Sequence, residues 1–176
     1  MIRLPLFVVL LGALTLTATR VHAQTRGLSL AGGYSGLRDL GSGATPAATY
    51  PRGWFVAGSH PIGLWGLEAT GDLSRHARDQ FGIQTTTLTA VLGGVRRPLL
   101  TRPRVRTFAQ VLVGFERFAE PGFDDRGPAF QPGVGVDIGV ARRVAARVQI
   151  DYRLTRMSGA GFREVRTVIG AVWSVR

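Results

Sequence analysis

The chain contains no cysteine and no lysine. The first absence excludes disulfides, thiolate metal sites, a cysteine nucleophile and an acylated N-terminal cysteine together, so stability has to come from packing and closure. The second makes all 22 basic positions arginine, which speaks of codon bias more than of mechanism. Histidine is nearly as scarce, and beyond the first 23 residues only His60 and His76 remain. Long apolar runs are missing too. A helix needs ~20 apolar residues to cross a bilayer, and the apolar stretch at 4–16 is shorter than that. A chain of this kind that enters a membrane after export does not do so with helices.

What is present begins with a leader. Met1-Ile2-Arg3 supplies a positive charge, 4–16 is nearly continuous apolar sequence, and Val21-His22-Ala23 ends in small-residue spacing. These are the three parts of a secretory signal, so residues 1–23 are expected to be removed, leaving 24–176 as one folded unit.

In that unit the dominant period is two. In 144–155, Val144, Ala146, Val148, Ile150, Tyr152 and Leu154 form one face, while Ala145, Arg147, Gln149, Asp151, Arg153 and Thr155 form the other. Successive side chains of a strand point to opposite faces, so the segment has an apolar and a polar surface. Segments 165–175 and 132–140 repeat the arrangement, with Arg166 and Asp137 on their polar sides. In 108–117, Ala109, Val111, Val113 and Phe115 oppose Gln110, Gly114 and Glu116; in 65–73, Trp65, Leu67, Ala69 and Leu73 oppose Glu68, Thr70 and Asp72. Segments 27–35, 54–60 and 84–95 alternate more weakly. The total is about eight strands. Turn-rich segments at 36–52, 75–82, 119–128 and 157–162 alternate with tighter ones at 60–63 and 141–143, which suggests one elaborated and one plain rim. Segment 96–106, with Pro98 and Pro103, breaks that pattern.

Alternation alone leaves open which face is inside. The apolar face of the five strongest strands carries no charge, as expected of a surface touching lipid, where charge would cost ~2–4 kcal/mol at mid-bilayer. The polar face mixes glycine with Glu68, Asp72, Glu116, Asp137, Arg147, Asp151, Arg153 and Arg166. Glycine leaves room in the narrow interior of a small barrel, and those charges can pair there. In hydrocarbon an unpaired backbone group costs several kcal/mol, so the sheet has to close. The expectation is an all-β protein, a closed eight-stranded antiparallel up-and-down transmembrane β-barrel. Trp54, Trp65, Trp173, Tyr34 and Tyr152 are candidates for interfacial belts.

The leader, the eight period-two segments and the alternating loops make the chain similar to the small outer-membrane β-barrel proteins of Gram-negative bacteria, the group that includes the membrane domain of outer membrane protein A. The resemblance is architectural and covers the mature chain. It implies a side-chain-filled interior, external loops, periplasmic termini and outer-membrane localisation, with lipid, lipopolysaccharide and the barrel-assembly machinery as partners. That machinery reads a terminal aromatic in many members; here Trp173 comes three positions before the last residue, Arg176.

The formal net charge is +11. An exported protein meets little nucleic acid, so lipid phosphates are the expected counter-charges. Arg96, Arg97, Arg102, Arg104, Arg106, Arg142 and Arg143 are read as possible lipid-headgroup contacts on the plain, periplasmic rim. Catalytic chemistry is thin. Ser59 and His60 are adjacent and face opposite ways on a strand, so they do not make a nucleophile and base pair. His76 reads as a solvated loop residue, and Asp124-Asp125 as solvated carboxylates rather than a metal site. Neither Gly32-Gly33 nor Gly133-Val134-Gly135 opens a helix, so no phosphate loop and no cofactor is expected. The function expected is a non-enzymatic outer-membrane protein with a structural or surface-interaction role, its segments 36–52 and 119–128 meeting whatever it binds. A soluble periplasmic barrel carrying an apolar ligand is the alternative, and a lipid A-modifying membrane enzyme a lesser one.

Overall fold

The computed structural model describes residues 27–41, 46–63, 65–80 and 84–175; the expected leader lies outside them. The elements are β1 (Ser29–Asp39), β2 (Ala48–Tyr50), β3 (Arg52–Pro61), β4 (Glu68–Gln80), β5 (Gln84–Thr101), β6 (Val105–Glu120), β7 (Phe123–Ala141), β8 (Val144–Met157) and β9 (Ala160–Ser174). β2 and β3 are one barrel strand interrupted at Pro51, which has no N–H to give the ladder. Both pair with β1, through Leu37 with Tyr50 and Tyr34 with Trp54, and the Tyr34 hydroxyl donates to the Pro51 carbonyl at 2.5 Å.

Each strand pairs antiparallel with the next, and β9 returns to β1 in unbroken register from Ser29 with Ser174 to Asp39 with Glu164. The sheet therefore closes into an eight-stranded up-and-down barrel. One rim carries both chain ends of the barrel and the turns at 102–104 and 142–143 beside the β3–β4 connection; the other carries the turns at 121–122 and 158–159 beside the ends of β1 and β4.

The strands are longer than hydrophobic alternation suggests, and this corrects the loop assignments: 36–39 of the expected 36–52 loop is strand β1 and 48–50 is β2, and the expected contrast of an elaborated and a plain rim is not kept, because the chain-end rim, expected to be plain, separates β3 from β4 by more residues than the turns after β6 and β8 on the other rim. Most of 75–82 belongs to β4, and 119–128 is the tip of the β6–β7 hairpin with a two-residue turn at Pro121-Gly122. Gly122 sits at φ +81°, as the third position of a type II turn requires. In place of a loop at 157–162 there is a two-residue turn whose Ser158 and Gly159 both have positive φ, 44° and 80°, the signature of type I′. Segment 96–106 is strand almost throughout. A register shift between Pro98 and Leu100 absorbs the proline, and Arg102 N–H to the Val105 carbonyl, 2.8 Å, closes a short turn. Beyond the apolar stretch both faces of each strand become polar, so the strand continues without a hydrophobic signal.

The polarity is inside-out. Val148, Ile150, Val113, Phe115 and Ile169 are exposed on the outer surface, whereas Asp137, Asp151, Arg147, Arg153 and Arg166 are buried within. On β8 the outward row from Val144 to Leu154 is free of charge. Ten residue steps at ~3.3 Å, tilted at ~40°, make an apolar band about 25 Å tall. So large a contiguous apolar surface is far beyond what a monomeric soluble protein exposes.

Candidate functional site

The lumen is packed with side chains from strands distant in sequence. At its centre Arg166 of β9 donates from Nη1 and Nη2 to both oxygens of Asp72 on β4, each at 2.9 Å, and from Nε to Ser35 Oγ on β1 at 2.9 Å. Asp151 lies 3.5 Å from Arg166 and accepts from Gln149 and Gln110. Toward the rim of the chain ends, Arg147 grips Asp137 through two bonds of 2.7 and 2.8 Å, and Arg106 pairs with Glu68. Toward the opposite rim, Arg153 pairs with Glu116 and donates to Gln131 Oε1 at 2.7 Å and Ser74 Oγ at 3.1 Å. Thr155 gives its hydroxyl proton to the other Glu116 oxygen at 2.6 Å.

Bidentate forks of this kind are the strongest ion-pair geometry available to arginine. The lumen is not wholly polar. Phe108 lies under the Arg96 and Arg147 guanidiniums, 4.1 and 4.8 Å from ring centre to cation, and Phe55 under Arg166 at 5.5 Å. Each ring occupies space left by a glycine: a Cβ on Gly135 of the neighbouring β7 would come within 2.4 Å of Phe108, and one on Gly170 of β9, across β1, within 3.0 Å of Phe55. Leu37, Tyr50 and Leu88 pack together toward the far rim.

All eight residues expected to form an interior polar network, Glu68, Asp72, Glu116, Asp137, Arg147, Asp151, Arg153 and Arg166, lie in this lumen. Among the described residues charged pairs occupy the axis and leave no chamber there for an apolar ligand.

The sequence matches no protein-family model and no curated protein. Solved structures do match in shape. Neisserial surface protein A superposes with a TM-score of 0.71 at 13% identity, covering 85% of this chain and 97% of that one. Ail, the attachment invasion locus protein of Yersinia pestis, gives 0.59 at 13%, covering 85% and 99%; it has also been solved in complex with the heparin analogue sucrose octasulfate. The N-terminal β-barrel domain of Pseudomonas aeruginosa OprF gives 0.53 at 10%, covering 85% and 98%. The fold is that of the small outer-membrane barrels.

Within this barrel the seven arginines assigned to lipid headgroups separate into two groups. Arg102, Arg104, Arg142 and Arg143 are exposed in the turns of the plain rim, and Arg97 faces outward on β5 just inside it. Arg96 and Arg106 are corrected: both turn into the lumen, Arg96 to donate to Gln110 Oε1 at 2.8 Å and Arg106 to pair with Glu68. Arg96 is one position from the outward Arg97 on β5 and Arg106 two positions from the inward Phe108 on β6, so parity sends both inward.

His76 is corrected as well. It is fully buried on β4, with Nε2 2.8 Å from Ser35 Oγ. A serine and histidine at this distance have the spacing of a nucleophile and base, but Arg166 also donates to Ser35 and all three groups are sealed from solvent. Ser59 points inward and His60 outward, as their adjacency requires. Sequence periodicity placed Gln110 on the polar face but missed Arg96, Glu164 and Asp39 in the lumen; the usable signal was parity, counted onward from Val95 for Arg96 and from Val165 for Glu164.

The aromatic candidates distribute over the outer surface: Tyr34 and Trp54 are cross-strand partners on β1 and β3, Trp173 lies near the plain rim, and Trp65 is exposed in its turn. Tyr152 is half-buried on β8.

Proposed function

We propose that this chain is a non-enzymatic β-barrel of the bacterial outer membrane, exported by residues 1–23 and serving a structural or surface-interaction role. The observation that carries this reading is the inverted polarity: arginine and carboxylate fill the axis while valine, isoleucine and phenylalanine cover the outside. In water that arrangement would expose a continuous apolar belt, whereas in a bilayer it buries the belt and lets every strand satisfy its backbone within the closed sheet. A filled lumen suits a scaffold rather than a diffusion pore, since arginine forks and aromatic rings block the axis.

The partners follow from the surfaces. Outer-membrane lipid covers the band, and the plain-rim Arg97, Arg102, Arg104, Arg142 and Arg143 meet the phosphates of inner-leaflet phospholipid. The barrel-assembly machinery inserts the chain, and the hairpin tips of the other rim, together with the β1–β2 connection, meet lipopolysaccharide and any surface ligand.

Fractionation of a Gram-negative host expressing the full chain tests this reading. The expected result is recovery with the outer membrane and faster gel migration before heating than after, because the closed barrel resists detergent. Release by osmotic shock as a soluble protein would overturn it.

A further inference from the structure

At the end of the lumen away from the chain ends, buried carboxylates outnumber the cations that face them. Asp39 of β1, Glu116 of β6 and Glu164 of β9 all point inward and are buried. Arg153 of β8 is buried among them, and Arg78 of β4 is half-buried at the edge. Tyr50 of β2 and His76 of β4 are the uncharged titratable groups at this end. β5 brings only Thr86 and Leu88. The nearest inward charge on β7, Asp125, is held at the tip by the Ser158 hydroxyl at 2.6 Å. One step deeper, Arg166 is forked to Asp72 and lies 3.5 Å from Asp151. Two cations therefore face three carboxylates.

Register decides which carboxylate is left over. Glu164 stands directly opposite Arg153 on one side and directly opposite Asp39 on the other. Like charges facing each other across a ladder are destabilising. Arg153 offers no relief, because it gives Nη1 to Glu116, Nε to Gln131 and Nη2 to Ser74, and its Nη1 stays 3.8 Å from Glu164 Oε2. The other two acids have donors of their own. Glu116 accepts the Thr155 hydroxyl on its second oxygen at 2.6 Å, and Asp39 Oδ1 accepts the Gly41 N–H at 2.8 Å. Glu164, only 3% exposed, has its Oε2 buried without any hydrogen bond. An ionised carboxylate taken out of water needs donors or a close cation, and this one has neither. Among the described residues no three His, Asp or Glu side chains converge in a way that could hold a metal ion. The counter-charge that fits the space is a proton.

We infer that Glu164 keeps its proton at neutral pH and donates it in a hydrogen bond to Glu116, making the two carboxyls a pH-sensitive latch between β9 and its neighbours. With the proton in place the pair carries one negative charge, matched by Arg153, and Asp39 faces a neutral group. Loss of the proton to solvent leaves two carboxylates competing for one guanidinium and a second anion opposite Asp39. The β1–β9 and β8–β9 seams are then weakened at this rim.

The sign of the pH response follows. A carboxyl that holds a proton in the folded chain and releases it on unfolding stabilises the fold at low pH, and the stabilisation is lost as pH rises through its folded value. Between about pH 5, where an unfolded glutamate is already ionised, and that value, the part of the unfolding constant due to Glu164 rises about tenfold per pH unit. His76 is buried in the same network with its Nδ1 bare and has a pH response of its own. Both responses are present in the wild type, so Glu164 is isolated by comparison with a variant that retains His76.

The test uses the full chain and E164Q folded in phosphatidylcholine vesicles and unfolded with urea from about pH 5 to about pH 7. Glutamine keeps the size of the protonated acid and a donor toward Glu116 but has no proton to lose. The ratio of unfolding constants, wild type over E164Q, should rise about tenfold per pH unit. E116Q, which leaves Arg153 to a single ionised Glu164, should show the same ratio to wild type. Infrared spectra of the folded chain in heavy water at neutral pH should contain the C=O band of a protonated carboxyl, and E164Q should lack it. If neither variant folds, the band in the wild type and its disappearance on raising the pH carry the test.

A ratio that does not change with pH, or a folded wild type without a protonated carboxyl band at neutral pH, would overturn the inference. So would a band that persists in E164Q, which would place the proton on another acid. A ratio that follows sodium or potassium concentration at fixed pH would assign the counter-charge to a metal cation and overturn the proton.

Discussion

Arg153 and Arg156 are three residues apart on β8, and Arg163 and Arg166 three apart on β9, yet each pair contains one of the most buried side chains in the protein and one of the freely solvated ones. Arg153 and Arg166 are both 0% exposed and anchored by carboxylates contributed from other strands. Arg156 and Arg163 stand outside with no ion pair among the described residues. An odd step along a strand changes the face, so identical chemistry acquires opposite tasks. Arginine therefore has no fixed meaning in this sequence; its parity and its height decide whether it fills the axis or meets what surrounds the barrel.

The comparison is broken hardest by removing the inner member. Arg153→Ala would leave Glu116 buried without its cation and Gln131 and Ser74 without their donor. Uncompensated buried charge costs ~3–5 kcal/mol. Urea unfolding from lipid vesicles, followed by tryptophan fluorescence, should show a loss of that size, while Arg156→Ala should change stability by no more than about 0.5 kcal/mol. Equal effects at the two positions would mean that the lumen is wet enough to rehydrate the carboxylate.

A smaller effect comes from moving the residue across the sheet. Arg147 is held inside by Asp137 and stacks near Phe108; one position later, Val148 points out into the apolar band and is 51% exposed. Val148→Arg should cost ~2–4 kcal/mol in the same unfolding assay, the price of a charge on the lipid face near the midplane. No loss there would indicate that this face does not touch hydrocarbon, and the orientation of the whole barrel with respect to the bilayer would have to be abandoned.

Much of this was legible in the residues, and the limits have physical causes. The faces of β8 and β9 follow from strict alternation of Val148 and Ile150 with Arg147 and Asp151, because burial in lipid tolerates only apolar side chains on one side. Partner choice was not legible. Arg166 meets Ser35 across 131 residues and Arg153 meets Ser74 across 79, and such separations are fixed by closure, which no local pattern encodes. Arg96 and Arg106 were hidden by neighbouring arginines and by Pro98 and Pro103, which read as a loop until the bulge is seen. His76 was misplaced because it follows Arg75, and alternation between two polar faces leaves no hydrophobic trace.

The smallest expected effect belongs to the hairpin tip, where pairing is neither buried nor left open. Arg117 on β6 donates from Nε to both oxygens of Asp124 on β7 at 3.0 Å, beyond the apolar band and fully exposed. This hydrogen bond, helped by the charges of Arg117 and Arg126, holds the Asp124 carboxyl below its ordinary value of 3.8. A carboxylate whose folded value is depressed contributes its stabilisation above the unfolded value and loses it as pH falls through the folded one. Pairing at the tip should thus persist through neutral and mildly acidic pH and disappear only below about 4. Carboxyl chemical shifts of Asp124 in the folded protein should titrate below its ordinary value, and Arg117→Gln should raise the midpoint. Because both groups are solvated, global unfolding should hardly respond to that substitution, in contrast to Arg153. Unchanged titration of Asp124 in Arg117→Gln would mean that the fork does not persist in solution, leaving Arg117 as a free cation at the hairpin tip.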